Sequence, residues 1–423
     1  MAAKDADQGL SHLLASTDPA QRIVIIGAGI VGSCLASILA TDQHRQQERR
    51  HVVLIDRDVH GLPGSTGHAP GYVGQYNQIP ALTTLAKRTV RKYLEINGGF
   101  NVVGGLEIAQ SDKTAQSLKE RCEAATSAGL NAKMISADDA LSKAPFFIKA
   151  GGAKEALWFE KDGTANAQLI ARHEQRRAKQ HRALLIDADV KSVASKLVVL
   201  ADGTRVETAK VVLCTGIWTR ALLPSLPIVP VAHPYCYTAQ RSEPRAIKTP
   251  FVRYPEAHVY VRDHGLRDGI GSYAHDPIAV ANSQLTQSAY GEWHTAFEPI
   301  LRDALALLPS ETSDTFSVSP ANVGHDRVFN GIFSVTPDGM PLVGKVKHHE
   351  GVYVASAVWV THAAGCARLI ADVLNECVAE GDRWLVKQLD PHRFDERDAT
   401  ELEKQALGTY NDIYNKNAQQ HRQ

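Results

Sequence analysis

The order of apolar and polar positions predicts strands that alternate with helices. Four apolar residues at 23–26 are followed by a glycine-rich turn and then by apolar residues at helical spacing up to residue 40. A second apolar run at 52–55 predicts another buried strand. This order of strand, turn, helix and strand indicates an α/β arrangement in which the helix packs on a sheet.

The same patterns predict further elements along the chain. Helices are expected at 81–97, 111–128, 137–144 and 165–181, and short strands at 183–186, 190–193 and 197–200. The turn at 201–204 is expected to close a hairpin towards Val211, where another apolar strand begins. Between 228 and 273 short apolar runs alternate with polar residues, which predicts a separate antiparallel sheet. The polar tail contains one helical stretch, at 399–414.

Composition and charge exclude several classes of protein. With 423 residues and 44% hydrophobic residues, the chain is long enough for two or three globular domains. Its 46 basic and 46 acidic residues give no net charge, which argues against nucleic acid and membrane surfaces as partners. Six cysteines without a C-x-x-C pair, and the lack of a recognisable signal peptide, favour a cytoplasmic protein. A peroxisomal or mitochondrial location stays open.

The glycine turn has the pattern and the context of a dinucleotide-binding motif. Gly27 permits a tight turn, Gly29 lets a pyrophosphate approach the backbone, and Gly32 allows close packing of helix on strand. Asp56 ends the next predicted strand, 24 residues after Gly32, where an acidic residue holds a ribose in such folds. The alternative is an ordinary glycine-rich turn, and the motif alone does not distinguish NAD from FAD.

A second loop of small residues, at 64–71, follows Asp56 closely enough to cover a bound cofactor. It reads Gly-Ser-Thr-Gly-His-Ala-Pro-Gly and contains one unusual member, His68. A histidine in such a loop is ordinarily a surface residue or a partner in a hydrogen bond.

This loop resembles that of a group of FAD-dependent amine oxidoreductases, which comprises dimethylglycine oxidase, dimethylglycine dehydrogenase and the sarcosine-oxidising enzymes of the D-amino-acid-oxidase-like superfamily. The resemblance continues in ordered blocks at 102–107, 214–218, 232–235, 259–265, 269–275, 330–339 and 357–365. It implies an α/β (α+β) fold in which an FAD-binding Rossmann-like domain is interleaved with an antiparallel-sheet substrate domain.

The resemblance also implies how the chain is divided. The FAD-binding domain would comprise 1–75, 150–225 and 331–400, and the substrate domain 76–149 and 226–330. Residues 401–423 would form a C-terminal helix and a polar tail. The long folate-binding region of the relatives has no counterpart in the sequence, so folate is not expected as a partner.

Site residues follow from the resemblance as well. It implies that His68 carries FAD covalently, through the 8-methyl group of the flavin, and that His233 and Tyr260 form the catalytic pair. The other cofactor-binding candidates are Gly27, Gly29, Ile30, Val31, Gly32, Asp56, Arg57, Ser65, Thr66, Gly67, Tyr72, Val190, Trp359, Val360, Thr361 and His362. Secondary candidates for the pocket wall are Tyr273, His275, Arg253 and Arg262.

Each of these roles has a plainer alternative. His233 and Tyr260 also fit a strand-end histidine and a buried tyrosine of a β-sheet. The arginines also fit a solvated sheet face, and the residues from Trp359 to His362 also fit simple packing between a strand and a helix. No cysteine and histidine cluster has the spacing of a metal site.

The function implied is oxidation of a secondary or tertiary N-methyl amino acid of the dimethylglycine or sarcosine type. Hydride would pass to the flavin, the iminium would hydrolyse to release formaldehyde, and oxygen would reoxidise the flavin and yield hydrogen peroxide. The partners are thus a small amine and oxygen, with an electron-transfer flavoprotein as another acceptor. Two alternatives remain open, namely an NAD-dependent dehydrogenase and a non-catalytic flavoprotein that serves as a scaffold or assembly factor.

Overall fold

A parallel sheet forms the centre of one half of the molecule. The computed structural model describes residues 10–46 and 50–413. The first strand, Arg22–Ile26, is fully buried, and four of its five residues are apolar, as is typical of a strand covered on both faces. From edge to edge the six strands are Leu342–Lys345, Val352–Ser356, Lys210–Leu213, Arg22–Ile26, His51–Asp56 and Leu184–Asp187. All neighbours are parallel except the pair formed by the edge strand Leu342–Lys345.

Alternate residues of these strands face two different cores. Ile23 and Ile25 pack against the helices Ile30–Gln46 and Ala363–Leu374, whereas Val24 and Ile26 pack on the opposite side. On that side lies a three-stranded antiparallel sheet of Val190–Ala194, Leu197–Leu200 and Arg205–Glu207. The period of two along the strands therefore places a layer of helices on one face and a small sheet on the other.

A second large sheet forms the other half. Its nine strands, in spatial order, are Tyr290–Gly291, Val328–Val335, Val229–Tyr237, Asp268–Ser272, Val259–Asp263, Phe251–Tyr254, Gly105–Ala109, Glu155–Phe159 and Ala132–Ser136. Neighbouring strands are antiparallel except at one joint, where Phe251–Tyr254 runs parallel to Gly105–Ala109. This joint connects two parts of the chain that are far apart in sequence.

The remaining elements surround the two large sheets. A small sheet consists of Tyr72–Val73, Gly163–Ala165 and Phe100–Asn101. Residues 10–16 are helical. Further α-helices are Ser65–His68, Pro80–Leu94, Asp112–Ser127, Ala137–Lys143, Ala167–Gln180, Thr219–Leu222, Phe297–Leu305, Ser310–Ser313, Pro320–Val323, Arg383–Gln388 and Ala399–Tyr410. Within the described ranges, no helix combines the length and the apolar character that a membrane crossing requires.

The α/β class with parallel and antiparallel sheets is confirmed, and most predicted elements are present with shifted ends. The helix predicted at 165–181 is Ala167–Gln180, because the side chain of Asn166 accepts a hydrogen bond from the N–H of Leu169 and caps it there. Residues 163–165 form a strand instead. The helix predicted at 399–414 is Ala399–Tyr410, and the tail from residue 414 lies outside the described residues.

Two topological predictions are confirmed, with different partners at their ends. The turn at 201–204 closes a hairpin, but its second strand is Arg205–Glu207, and Lys210–Leu213 joins the parallel sheet. The strands between 228 and 273 form antiparallel pairs in a sheet separate from the parallel one, and this sheet continues into strands of the 105–159 region. The unexpected partners were missed because apolar runs do not encode which strands pair.

Two strands of the nine-stranded sheet lie at or beyond the domain boundaries expected from the sequence. Glu155–Phe159 follows the boundary expected at residue 150 but belongs to the nine-stranded sheet, and Val328–Val335 crosses the boundary expected at 330–331. We therefore propose that both boundaries lie after these strands.

A buried ion cluster links the two parallel strands, Gly105–Ala109 and Phe251–Tyr254, of the nine-stranded sheet. Glu107 lies opposite Arg253 in the register of the joint, and its Oε1 accepts from Nη1 of Arg253 at 2.8 Å. Nε of Arg121 lies 2.9 Å from Oε2 of Glu107. The side chains of Glu107 and Arg253 are only 4% and 6% exposed, so the carboxylate is the counter-charge of two largely desolvated guanidinium groups.

Substitution Glu107→Gln is expected to destabilise the fold strongly. It leaves two buried cations without a counter-charge, which costs about 3–5 kcal/mol. Thermal unfolding followed by circular dichroism should show a clear drop in melting temperature. Asp112→Asn is the matched control, because the Asp112 side chain is 91% exposed in its pair with Lys154. Equal melting temperatures for the two variants would contradict a structural role for the cluster.

Candidate active site

A cavity of about 310 Å³ lies where the parallel strands end and meet the nine-stranded sheet. On one side it is lined by residues that follow the strands ending at Ile26, Asp56 and Leu213, which is the usual ligand position in open α/β sheets. On the other side it reaches His233 and Tyr260 in the nine-stranded sheet. The cavity thus extends from one sheet to the other.

The glycine turn forms the wall nearest to the parallel sheet. Gly27 has a φ of +104°, which residues with side chains rarely adopt, and a Cβ on Gly32 would lie 1.9 Å from the carbonyl oxygen of Gly27. These two glycines therefore allow the helix to start close to the strand. Gly29, Ile30 and Val31 line the cavity, whereas Gly32 lies behind the wall. The first turn of the helix is thus presented to the cavity.

Asp56 is held at the end of its strand by backbone donors. Its carboxylate accepts hydrogen bonds from the N–H of Ala28 at 2.7 Å and from the N–H of Asp58 at 3.1 Å. Burial raises the pKa of Asp56 above its usual value, and these hydrogen bonds oppose the shift. Arg57 and Val190, the other candidates at this end, also line the cavity. The guanidinium of Arg57 lies 4.7 Å from the ring centre of Trp218.

The second loop forms a short helix, Ser65–His68, against the glycine turn. The Oγ1 atom of Thr66 accepts from the N–H of Ile30 at 3.0 Å, and the hydroxyl of Ser65 donates to the carbonyl of Ile332 at 2.7 Å. Ser65 and Thr66 line the cavity. Gly67 does not line the cavity. It packs against the loop backbone instead, because a Cβ at this position would lie 2.2 Å from the carbonyl oxygen of Leu62.

His68 is buried at the cavity wall. Its ring centre lies 4.5 Å from that of Tyr290 and 5.8 Å from that of Phe329. Burial lowers the pKa of His68 to about 4, so the ring is neutral at physiological pH. Its Nδ1 atom is buried and has no hydrogen-bond partner among the described residues. An unpaired buried nitrogen costs about 1–3 kcal/mol, which a bound group could offset.

The turn at Trp359 closes another side of the cavity. Trp359, Val360 and Thr361 line it, and Trp359 donates its ring N–H to the carbonyl of Ser334 at 3.1 Å. His362 is buried behind this turn and does not line the cavity, and burial lowers its pKa to about 3. His362 is therefore not placed to contact a ligand in the cavity.

His233 and Tyr260 lie together on the nine-stranded sheet. The phenol oxygen of Tyr260 is 2.8 Å from Nε2 of His233, and both residues line the cavity. Asn330 accepts from the backbone N–H of His233 at 2.9 Å. Burial lowers the pKa of His233 well below its usual value, with smaller contributions from His275 and His68, so the imidazole is neutral.

Sequence reasoning missed Tyr410. It is fully buried, and its phenol oxygen lies 2.6 Å from both Nδ1 of His233 and Nε2 of His275. The sequence contains one signal for its burial, since Leu402, Ala406 and Tyr410 recur every four residues on one side of their helix. That signal predicts a packed helix but not its position behind His233.

The secondary candidates divide into two groups. Tyr273 and Arg253 line the cavity, as does the cofactor-binding candidate Tyr72. His275 does not line it and bonds to Tyr410, and Arg262 lies behind the second loop, where it donates to the carbonyl of Pro70. The aromatic part of the wall also contains residues to which sequence reasoning gave no role. Trp218, Tyr235 and Phe333 lie in blocks of the resemblance, whereas Phe329 lies in none of them.

Comparison with known proteins identifies the family. A family model described as "FAD dependent oxidoreductase" matches residues 22–373, which is most of the chain. Mitochondrial dimethylglycine dehydrogenase of Homo sapiens is 24% identical over 401 residues. That alignment covers 88% of this chain but 44% of the human protein, so the chain spans less than half the length of that relative.

Two solved structures have a similar fold. L-proline dehydrogenase from P. horikoshii superimposes with a TM-score of 0.75 at 20% identity, covering 90% of this chain and 99% of that chain. Glycine oxidase from Geobacillus kaustophilus gives a TM-score of 0.70 at 19% identity and covers 88% of this chain and 99% of its own. At these identities the likeness establishes the fold alone.

Substitution Gly29→Val is expected to reduce the flavin content of the purified protein about tenfold. Its Cβ would lie 3.0 Å from Oγ1 of Thr66, and its methyl groups would fill the wall at the start of the helix. Flavin per protein is measured from absorbance after denaturation. Gly381→Val is the control, since a Cβ on Gly381 meets no atom within 4 Å. Full flavin content in Gly29→Val would remove this turn from the cofactor site.

Proposed function

Because the chain belongs to the family of FAD-dependent oxidoreductases, we propose that it oxidises the N-methyl group of a dimethylglycine- or sarcosine-type amino acid. One observation carries the proposal, namely the neutral, buried pair of His233 and Tyr260, 2.8 Å apart, in the same cavity as the glycine turn. The likeness to human dimethylglycine dehydrogenase supports the substrate class.

The residues of the cavity fit an FAD. In the first turn of the helix, Gly29 and Val31 line the cavity and have backbone N–H groups that would bind a pyrophosphate, while the N–H of Ile30 is donated to Thr66. Asp56 lies at the strand end where a ribose is bound in such folds. At the flavin end of the cofactor, Nδ1 of His68 is buried and has no hydrogen-bond partner among the described residues. A covalent bond from this ring to the flavin would remove the cost of that unpaired nitrogen. We therefore include covalent attachment through His68 in the proposal.

Bound FAD supplies the hydride acceptor, and the chain supplies a dry, oriented pocket. The aromatic side chains of Phe329, Phe333 and Trp359 line the cavity and exclude water from the reacting carbon. The Trp359 turn is fixed by its hydrogen bond to Ser334 and by the hydroxyl of Tyr93, which donates to the carbonyl of Val360 at 2.7 Å. Rigid walls favour one orientation of the amine.

The amine nitrogen must keep its lone pair for hydride loss from the adjacent carbon. Neutral His233 and Tyr260 suit this requirement, because neither stabilises an ammonium, whereas a carboxylate at that position would favour the protonated amine. Burial keeps the imidazole neutral, as the direction of its pKa shift indicates. We assign to this pair the orientation of the amine.

Arg253 is the proposed anchor of the substrate carboxylate. It lines the cavity and lies opposite Tyr260 in the antiparallel pair of strands. Among the described residues, the arginines that line the cavity are Arg253 and Arg57, and Arg57 lies at the end near Asp56. A carboxylate bound there would place the amine next to Tyr260.

The products follow from the chemistry of the substrate. Loss of hydride from the N-methyl carbon leaves an iminium, which adds water and releases formaldehyde and the demethylated amine. The electron pair passes on to oxygen, which yields hydrogen peroxide, or to an electron-transfer flavoprotein.

Substitution Tyr260→Phe is expected to lower kcat/KM for the active amine about 100-fold at unchanged flavin content. Peroxide release and dye reduction are measured with dimethylglycine, sarcosine, proline and glycine. Tyr254→Phe is the matched control, since its hydroxyl donates to the carbonyl of Phe147 in the core at 2.6 Å. Unchanged turnover in Tyr260→Phe would exclude this residue from the site, and a flavin that no amine bleaches would favour a non-catalytic flavoprotein.

Substitution His68→Ala is expected to release the flavin from the protein. After acid precipitation, the wild-type pellet should be yellow, whereas the flavin of His68→Ala should appear in the supernatant. His60→Ala is the control, because His60 is an exposed histidine that precedes the same loop. Flavin that remains in the pellet of His68→Ala would place the linkage elsewhere, and flavin released from the wild type would disprove a covalent bond.

A further inference from the structure

A chain of hydrogen bonds connects Tyr260 to a backbone carbonyl on the far side of the sheet. Tyr260 bonds to Nε2 of His233 at 2.8 Å, and Nδ1 of His233 bonds to Tyr410 at 2.6 Å. Tyr410 bonds in turn to Nε2 of His275 at 2.6 Å, and Nδ1 of His275 bonds to the carbonyl oxygen of Asp276 at 2.8 Å. Each tyrosine has one hydroxyl hydrogen and each neutral histidine has one ring N–H hydrogen, so the donor and the acceptor of every bond in the series can be deduced.

The carbonyl of Asp276 fixes the first direction, because a carbonyl oxygen only accepts. Nδ1 of His275 must therefore carry a hydrogen, and Nε2 of a neutral His275 is an acceptor. Tyr410 gives its single hydroxyl hydrogen to that nitrogen and can only accept from His233. Nδ1 of His233 is then the protonated nitrogen, and Nε2 is the bare one.

Both rings are neutral, as this deduction requires. Burial lowers the pKa of His233 well below its usual value and also lowers that of His275. The ring nitrogens of His233 face the phenols of Tyr410 and Tyr260. The backbone carbonyl and the carboxylate of Asp276 favour the imidazolium of His275, but burial has the larger effect on its pKa. The bare Nε2 of His233 therefore receives its hydrogen bond from the hydroxyl of Tyr260.

We propose that Tyr410 is a positioning residue that holds His233 in its Nδ1–H tautomer, so that Tyr260 meets the substrate as a hydrogen-bond acceptor. This rests on the proposed function, in which Tyr260 contacts the amine. With its only hydrogen given to His233, Tyr260 can accept from the N–H of an unprotonated secondary amine such as sarcosine but cannot donate to a carboxylate. The two ends of an amino acid are thereby distinguished, and its carboxylate is directed towards Arg253. A tertiary amine with a free lone pair has no N–H, so the proposal applies to the secondary amines of the proposed substrate class.

The helix that carries Tyr410 is firmly attached to the sheet. The side-chain amide of Asn411 donates to the carbonyl oxygens of Tyr273 and His275, at 2.6 and 2.8 Å, and a ring nitrogen of His258 lies 2.8 Å from the carbonyl of Asn411. The helix Ala399–Tyr410 lies beyond residues 22–373, which the family model matches. A segment outside the matched region therefore completes the polar chain behind the active-site pair.

The proposal is tested by NMR of the flavin-loaded enzyme labelled with ¹⁵N in histidine. The ¹⁵N shift of a ring nitrogen distinguishes a protonated from a bare atom, and the signals of His233 are assigned by their loss in His233→Asn. In the wild type we expect a protonated Nδ1 and a bare Nε2. A protonated Nε2 would overturn the proposal whether or not any amine is turned over.

Two variants then test the role of Tyr410. Tyr410→Phe removes the acceptor, so the Nε2–H form of His233 should appear. His275→Leu removes the group that takes the hydrogen of Tyr410, so Tyr410 should donate to His233 and switch it to the Nε2–H tautomer. Tyr254→Phe, which loses a hydrogen bond elsewhere, should leave the signals unchanged. Unchanged His233 signals in Tyr410→Phe, or in His275→Leu if the first variant does not fold, would overturn the proposal.

Turnover provides a second readout. In Tyr410→Phe, kcat/KM for sarcosine should fall about tenfold, at wild-type flavin content, because the N–H of this secondary amine loses its oriented acceptor. A loss of flavin in step with activity would indicate a merely structural role and overturn the proposal. The absence of amine turnover in the wild type would contradict the proposed function and leave the NMR result to decide the tautomer.

Discussion

The close approach of one helix to one strand sets the geometry of the whole cofactor side. Because a Cβ on Gly32 would lie 1.9 Å from the carbonyl of Gly27, the helix can begin directly above the sheet only with glycine at that position. The backbone N–H groups of the glycine turn and of the first helical residue then donate hydrogen bonds to neighbouring segments. The N–H of Ala28 holds Asp56, and the N–H of Ile30 holds Thr66, so the end of the second strand and the second loop are both attached to the glycine turn. A single steric requirement thus organises three segments of the chain.

The second large sheet contributes a different physical property, which is desolvation. Its histidines are buried among aromatic rings, and burial favours their neutral forms. When neutral histidines and tyrosines are hydrogen-bonded in series, the acceptor at one end fixes the donor and acceptor of every bond. A carboxylate in the series would have favoured a protonated imidazole instead. The cavity therefore combines an end rich in backbone donors, at the glycine turn, with an end of neutral side chains around His233. This difference suits a ligand that is anionic at one end and reacts at the other.

Local sequence signals sufficed for the glycine turn and the two strands beside it, and long-range pairing limited the rest. The glycine turn, the acidic residue at the next strand end and most helices are encoded over a few residues. The pairing of Lys210–Leu213 and the parallel joint at Gly105–Ala109 depend on segments more than a hundred residues apart, which periodicity does not reveal. Of the candidate site residues, Gly32, Gly67 and His362 lie behind the cavity wall, because the motifs that contain them also serve packing. Tyr410 was missed because nothing near it in sequence indicates His233.

The parallel joint between Gly105–Ala109 and Phe251–Tyr254 has a consequence for the order of folding during synthesis. Glu107 and Arg253 are 146 residues apart, so the early strands of the nine-stranded sheet emerge from the ribosome long before their partner. The glycine turn and its first neighbours can form meanwhile from nearby segments. We expect the nascent chain to expose unpaired strand edges until residue 254 has been made, and these edges are sites at which chaperones bind or aggregation begins. Since Tyr410 follows much later, His233 acquires this hydrogen-bonding partner only after residue 410 has been translated.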